Sequence, residues 1–71
     1  MTPAQCRAAR ALINMALSNL AAAARVPPAI VWDLETGIAA PSEAHVNALR
    51  RVFDNAGVEF IEGGVRVRKG K

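Results

Sequence analysis

Seventy-one residues with nine Lys or Arg against six Asp or Glu, a formal charge of +3 and an isoelectric point near 10.0, describe one small basic domain that suits a polyanionic partner. A chain this short buries only roughly 60% of the surface its unfolded form exposes, so oligomerisation is expected to help hold it together. A single cysteine, Cys6, and a single histidine, His45, exclude an intrachain disulfide and a clustered Cys/His metal site; no run approaches a membrane span and "MTPAQCRAAR" has no signal-peptide core, so a cytoplasmic chain without metal or membrane contact is expected.

The first element opens at "TPAQ". Thr2 is an N-cap, Pro3 stands at the first helical position, and Gln5 follows the cap by three residues, the reciprocal capping-box arrangement. The apolar spacing predicts a helix over about 3–15 with Cys6, Ala9, Leu12 and Ile13 inward and Ala16 at the margin of that stripe. Arg7, Arg10 and Asn14 fall on another face. Cys6, on the apolar stripe, reads as buried filler rather than a reactive thiol.

The alanine-rich stretch "LSNLAAAA" predicts a second helix over about 17–24, with Leu20, Ala21 and Ala24 on the face that packs. Ala16 gives this helix no side-chain cap, and an uncapped start costs on the order of 1 kcal/mol relative to Ser or Thr. After a short turn, "PAIVWDLET" predicts a third helix over about 28–36. Pro28 fits its first turn and Gly37 its left-handed end. Val31 and Leu34 share the inward face, leaving Ala29, Ile30, Trp32, Asp33 and Thr36 for the flanks and solvent.

A loop leads to Ser42, which caps a fourth helix over about 43–55 with Val46, Leu49, Val52 and Phe53 inward and Asn47, Arg50, Arg51 and Asp54 outward. His45 is expected to face solvent. The tail "VEFIEGGVRVRK" changes period from 3.6 to 2, which predicts a hairpin over about 58–69 with Gly63 and Gly64 as its turn. That register sets Phe60 opposite Val67 and Glu59 opposite Arg68, with Val58, Phe60, Val65 and Val67 on one face. The expectation is a single mainly α domain over 1–71: four helices followed by a C-terminal β-hairpin.

No catalytic constellation is present. There is no glycine-rich phosphate loop and no spaced Ser, His and acid, and Asp33 and Glu35 point in different directions on a helix, so the chain is not expected to be an enzyme or to bind a cofactor or small molecule.

Helix, short turn, helix from about Ala16 to Thr36, between a capped first helix and an amphipathic fourth, resembles the helix-turn-helix regulators of the lambdoid-phage Cro and repressor type. The end blocks "TPAQCRAARALI" and "AGVEFIEGGVRVRK", with "LETG" at Leu34 to Gly37, carry the resemblance, which covers nearly the whole chain. It implies a four-helix helix-turn-helix bundle with a C-terminal β-hairpin, a third helix laid in the major groove of double-stranded DNA, and a homodimer on pseudo-palindromic half-sites. It also implies a structural ion pair between Arg10 and Glu35, where spacing alone leaves Arg10 open to being a solvated charge.

The departures from that family are concentrated at the DNA-contacting positions. Ala16 and Leu17 stand where the family has a polar cap and a Gln, and Arg25 stands where a turn Gly is common. The implied contact set is Leu17, Ser18, Asn19, Arg25, Pro28, Ala29, Trp32 and Asp33, with Pro27 and Ile30 at its margins. Asp33 suits a cytosine amino group and Ala29 a thymine methyl, but none makes a bidentate purine contact. Phosphate contacts would fall to Arg25, Ser18, Asn19, the amides opening the second helix and Arg50 or Arg51, the last two being equally open to forming a solvated helix face, while Arg66, Arg68 and Lys69 are open to salt bridges or solvent.

Two functions follow. The first is a dimeric DNA-binding transcription regulator, a repressor in the absence of an effector domain. The second is a relative that has lost DNA reading and captures another regulator through an apolar patch of Leu17, Pro28, Ile30 and Trp32; the bland alternative is that Ile30 and Trp32 simply pack.

Overall fold

The computed structural model describes residues 1–68, so the expected end of the hairpin at Lys69 lies outside the described residues. Thr2 Oγ1 accepts from the Gln5 amide and Gln5 Oε1 accepts from the Thr2 amide, both at 3.0 Å, which starts helix α1 (Pro3–Leu12) on the expected capping box. The helix stops at Leu12 rather than near Met15. Asn14 takes φ 55, its N–H donates to the Ala11 carbonyl and that of Met15 to Arg10, the paired bonds of a Schellman turn. Asn tolerates this left-handed conformation, so the helical spacing of Ile13 does not decide the boundary. One consequence is that Leu12, expected inward, is 43% exposed, and Ala16 is exposed as well.

Helix α2 (Leu17–Ala24) and helix α3 (Pro28–Thr36) end on the same paired bonds, with Arg25 and Gly37 as the left-handed residues. Helix α4 (Glu43–Asn55) begins at Ser42, whose Oγ accepts from the His45 amide at 3.2 Å. His45 itself is half-buried rather than solvent-facing. Strands β1 (Val58–Ile61) and β2 (Gly64–Val67) complete the chain as an antiparallel hairpin. Four helices followed by this hairpin make the fold mainly α, as the spacing predicts.

The core joins Cys6 and Ala9 of α1, Leu20 and Ala21 of α2, Val31 and Leu34 of α3, Leu49 and Phe53 of α4, Val26 and Val58. Of the four inward positions expected on α4, Leu49 and Phe53 are buried and Val46 and Val52 half-buried. Helix α1 packs on α3 and on the hairpin, α2 packs on α3 and α4, and α4 packs on β1. Phe53 and Phe60 meet edge to face with centroids 5.7 Å apart, and the Arg50 guanidinium lies 5.2 Å from the Phe60 centroid.

The hairpin register differs from the expected one by two residues. Val58 pairs with Val67, Glu59 with Arg66, Phe60 with Val65 and Ile61 with Gly64, so the turn is Glu62–Gly63 rather than Gly63–Gly64. Only one of the two turn residues needs positive φ, and Gly63 supplies it at 82°. A shift of two keeps every side chain on its expected face while changing its partner. Glu59 therefore pairs with Arg66 at 2.7 Å, and Arg68, expected opposite Glu59, binds the Asp54 carboxylate and reaches Glu59 only at 3.9 Å.

Gln5 also joins the hairpin to the first helix. Its Nε2 donates to the carbonyls of Ile61 and Gly64, each at 3.2 Å. Gln5→Glu keeps the acceptor needed by the capping box but replaces the donor with a carboxylate facing two carbonyls. This variant is expected to lose about 1–2 kcal/mol in urea unfolding, whereas a cap-only role for Gln5 leaves it at wild-type stability.

Candidate nucleic-acid interface

Helix α2 begins at Ala16, in extended conformation, with no side-chain hydrogen bond to its first turn. The Leu20 amide already donates to the Ala16 carbonyl at 3.0 Å, so the amides of Leu17, Ser18 and Asn19 are the unfilled donors of the first turn. No acidic residue lies there. By contrast α1 and α4 start on the side-chain oxygens of Thr2 and Ser42. Ser18 and Asn19 are exposed, whereas Leu17 is half-buried against the core and offers only its backbone. Three free N–H groups at the positive end of a helix, flanked by two exposed polar side chains, are chemically suited to a phosphate.

The turn from α2 to α3 runs through Arg25, which takes φ 60, ψ 42. A left-handed conformation in a residue with a Cβ costs about 1–2 kcal/mol that glycine avoids. The exposed Arg25 side chain takes no part in the ion pairs of the described residues, and neither does Arg51. The two arginines line one shallow concavity of about 310 Å³, together with Asn55.

Helix α3 starts at Pro27 and Pro28, neither of which has an N–H, and the Ile30 amide returns to the Pro27 carbonyl at 3.0 Å. Ala29 thus holds the one free amide of its first turn. The outward stripe is Pro28, Ala29, Trp32 and Thr36 with the half-buried Asp33, and Trp32 is 57% exposed. No cation stands on the helix. Ile30, expected to join Leu17, Pro28 and Trp32 in an apolar patch, instead packs against the core, as does Leu17. The exposed apolar surface of α3 therefore reduces to Pro28, Ala29 and Trp32, with Ile38 just beyond the helix at 71% exposure.

Beneath this stripe α3 is fixed to α1 by Glu35, which is 5% exposed. Arg10 Nε donates to Glu35 Oε2 and Arg10 Nη2 to Oε1, both at 2.7 Å, a two-pronged contact that settles Arg10 as scaffold. Arg10 Nη1 also donates to the Met15 carbonyl at 3.0 Å, and Arg7 Nη1 to the Glu35 carbonyl, so one cluster ties α1, α3 and the approach to α2. Cys6 adds a weak bond from Sγ to Glu35 Oε2 at 3.2 Å.

Burial pushes the Glu35 carboxyl upward, but the Arg10 and Cys6 hydrogen bonds and the charges of Arg10 and Arg7 outweigh it and hold it below the usual carboxylate range. Arg10 moves upward, because its hydrogen bond to Glu35 outweighs its own desolvation. Burial, then the bond to the Glu35 carboxylate, pushes the Cys6 thiol up to about 12. The raised thiol favours the folded chain below the unfolded value of about 8.5, and that contribution is lost as pH rises toward the folded value. Cys6→Ala is expected to flatten this alkaline limb in unfolding measured across that range; an unchanged limb means that another group produces it.

The expected residues thus divide. Ser18, Asn19, Arg25, Pro28, Ala29 and Trp32 are exposed, Asp33 is half exposed, and Leu17 is not a side-chain contact. Arg50 lies over Phe60 and Arg51 beside Arg25. The bonds of Arg7 and Cys6 to Glu35 were not legible, since both need the angle between α1 and α3. Among the described residues no group of His, Cys, Asp or Glu could hold a metal ion, and no helix is long and apolar enough to cross a membrane. Comparison with models of known families and with curated proteins finds no match.

Proposed function

We propose that this protein is a DNA-binding transcription regulator, a repressor that lays α3 in the major groove as one half of a dimer. The observation that carries this reading is the open start of α2, where the amides of Leu17, Ser18 and Asn19 have no cap and no acid beside them. These amides and Arg25 supply phosphate contacts that fix orientation. On α3, Ala29 and Trp32 meet thymine methyl groups or sugars and Asp33 accepts from a cytosine amino group, so readout is sparse and leans on DNA shape. Two copies in successive major grooves would exclude polymerase. The dimer contact proposed is the outer edge of the hairpin at β2, where Val67 is exposed.

A second reading is favoured by the exposure of Trp32 on a helix without a cation: α3 captures another regulator, with Trp32 as the anchor. Trp32→Ala separates the two. Under the first reading it weakens DNA binding by no more than about tenfold, the worth of about 1.4 kcal/mol, and leaves phosphate-driven salt dependence intact. Under the second it abolishes capture of the partner while helix content is unchanged. Sedimentation at high micromolar concentration is expected to show a dimer; monomer alone refutes the paired half-site arrangement.

A further inference from the structure

A groove of about 650 Å³ runs between α4 and β1, and the side chains of Arg66 and Arg68 also line it. The Arg68 amide donates to the Gly57 carbonyl, which marks 57 and 68 as a hydrogen-bonded pair; alternation makes 59–66 and 61–64 the next such pairs. The backbone N–H and C=O groups of Val58 and Phe60 therefore point away from β2, toward the groove. No hydrogen bond from elsewhere among the described residues reaches them. Val58 is buried with its backbone, so the unpaired strand edge that an extended chain can reach in the groove is that of Phe60, which is half exposed.

The charges on its walls are unequal. Asp54 and Glu59, the two acids, are taken up by Arg68 and Arg66. Arg50 and Arg51 on the α4 wall have no carboxylate partner among the described residues, and Arg50 is held over the Phe60 ring. A second copy placed here by a two-fold axis would bring like walls together, Arg50 and Arg51 facing their own counterparts.

We propose that this groove is a docking site for an extended acidic segment of a partner protein, which adds as a third strand on the free edge of β1 with its carboxylates on Arg50 and Arg51. Main-chain bonds at Phe60 supply the strand pairing, and the α4 arginines select acidic side chains. The groove shares Arg51 with the concavity beside Arg25, but Arg50, Phe60 and the β1 edge lie outside the α2 and α3 positions assigned to DNA, so failure of DNA binding leaves this proposal standing and its failure leaves the DNA reading standing.

The test is titration of the full chain with a short peptide alternating Glu and Val, followed by amide NMR and fluorescence anisotropy. Expected are saturable binding, shifts centred on the Phe60 amide, and at least tenfold weaker binding when the peptide's pairing amides are N-methylated. Arg50→Glu and Arg51→Glu are each expected to weaken binding to a similar degree, with the rest of the amide spectrum confirming an intact fold. The proposal is overturned by absent binding, by equal binding of the N-methylated peptide or of a Lys–Val peptide, or by shifts confined to α3. It is equally overturned if the Phe60 amide shifts with protein concentration alone, which assigns the groove to a second copy, or if duplex DNA shifts it.

Discussion

Replacing Glu35 with Ala is expected to remove about 3 kcal/mol of stability, the low end for stripping one partner from a buried ion pair, because Arg10 keeps 22% of its side chain in water. Three donors lose their acceptor at once: Arg10 Nε, Arg10 Nη2 and the Cys6 thiol. Domains of this size hold only about 0.05–0.15 kcal/mol per residue, so the loss is a large share of the total. Substituting both partners, Arg10→Met with Glu35→Leu, is expected to be milder than Glu35→Ala alone, since no buried charge is left unpaired. Urea midpoints with unchanged slope measure both; a double variant as unstable as the sum of its singles contradicts the pairing. Acid adds a second check. The folded Glu35 carboxyl is depressed, so its contribution is present above the unfolded value of about 4.3 and is lost as pH falls through the folded value. Glu35→Gln should start less stable at neutral pH and lose less on acidification.

Arg25→Gly is expected to move stability and DNA binding in opposite directions. Glycine adopts φ 60, ψ 42 without the Cβ penalty, so the folded chain gains about 1 kcal/mol. The same change removes an exposed cation with no acidic partner among the described residues, and the slope of log affinity against log salt should flatten by about 1. Arg25→Lys keeps charge and strain and should resemble wild type in both respects. A glycine variant that is more stable and binds DNA unchanged removes Arg25 from the interface. A less stable variant means that Arg25 is retained for packing.

Local chemistry explains which features were legible. The capping box at Thr2 and Gln5, the left-handed Gly37 and the cap at Ser42 are settled within one turn of helix, and they fall at the expected residues. The early stop of α1 was not legible because Ile13 continues the apolar spacing while Asn14 reverses the chain. The hairpin register failed for a related reason: alternation sets only the face, and two adjacent glycines allow either turn. At the candidate site, Val31 and Leu34 set the inward face of α3, but whether Ile30 and Trp32 lay open depended on how its neighbours pack. Ile30 is covered and Trp32 is not.

The most direct test of DNA binding is the salt dependence of the purified protein's affinity for duplex DNA, with selected operator fragments and random sequence in parallel. Measurable binding is expected at low salt, weakening steeply, by about tenfold or more, as salt rises from roughly 50 to 200 mM. Tighter binding to selected fragments is expected, and loss of the phosphate contribution when Ser18 and Asn19 are changed to Asp, which also favours the start of α2. No retention on DNA at low salt, or an affinity indifferent to salt, would contradict it.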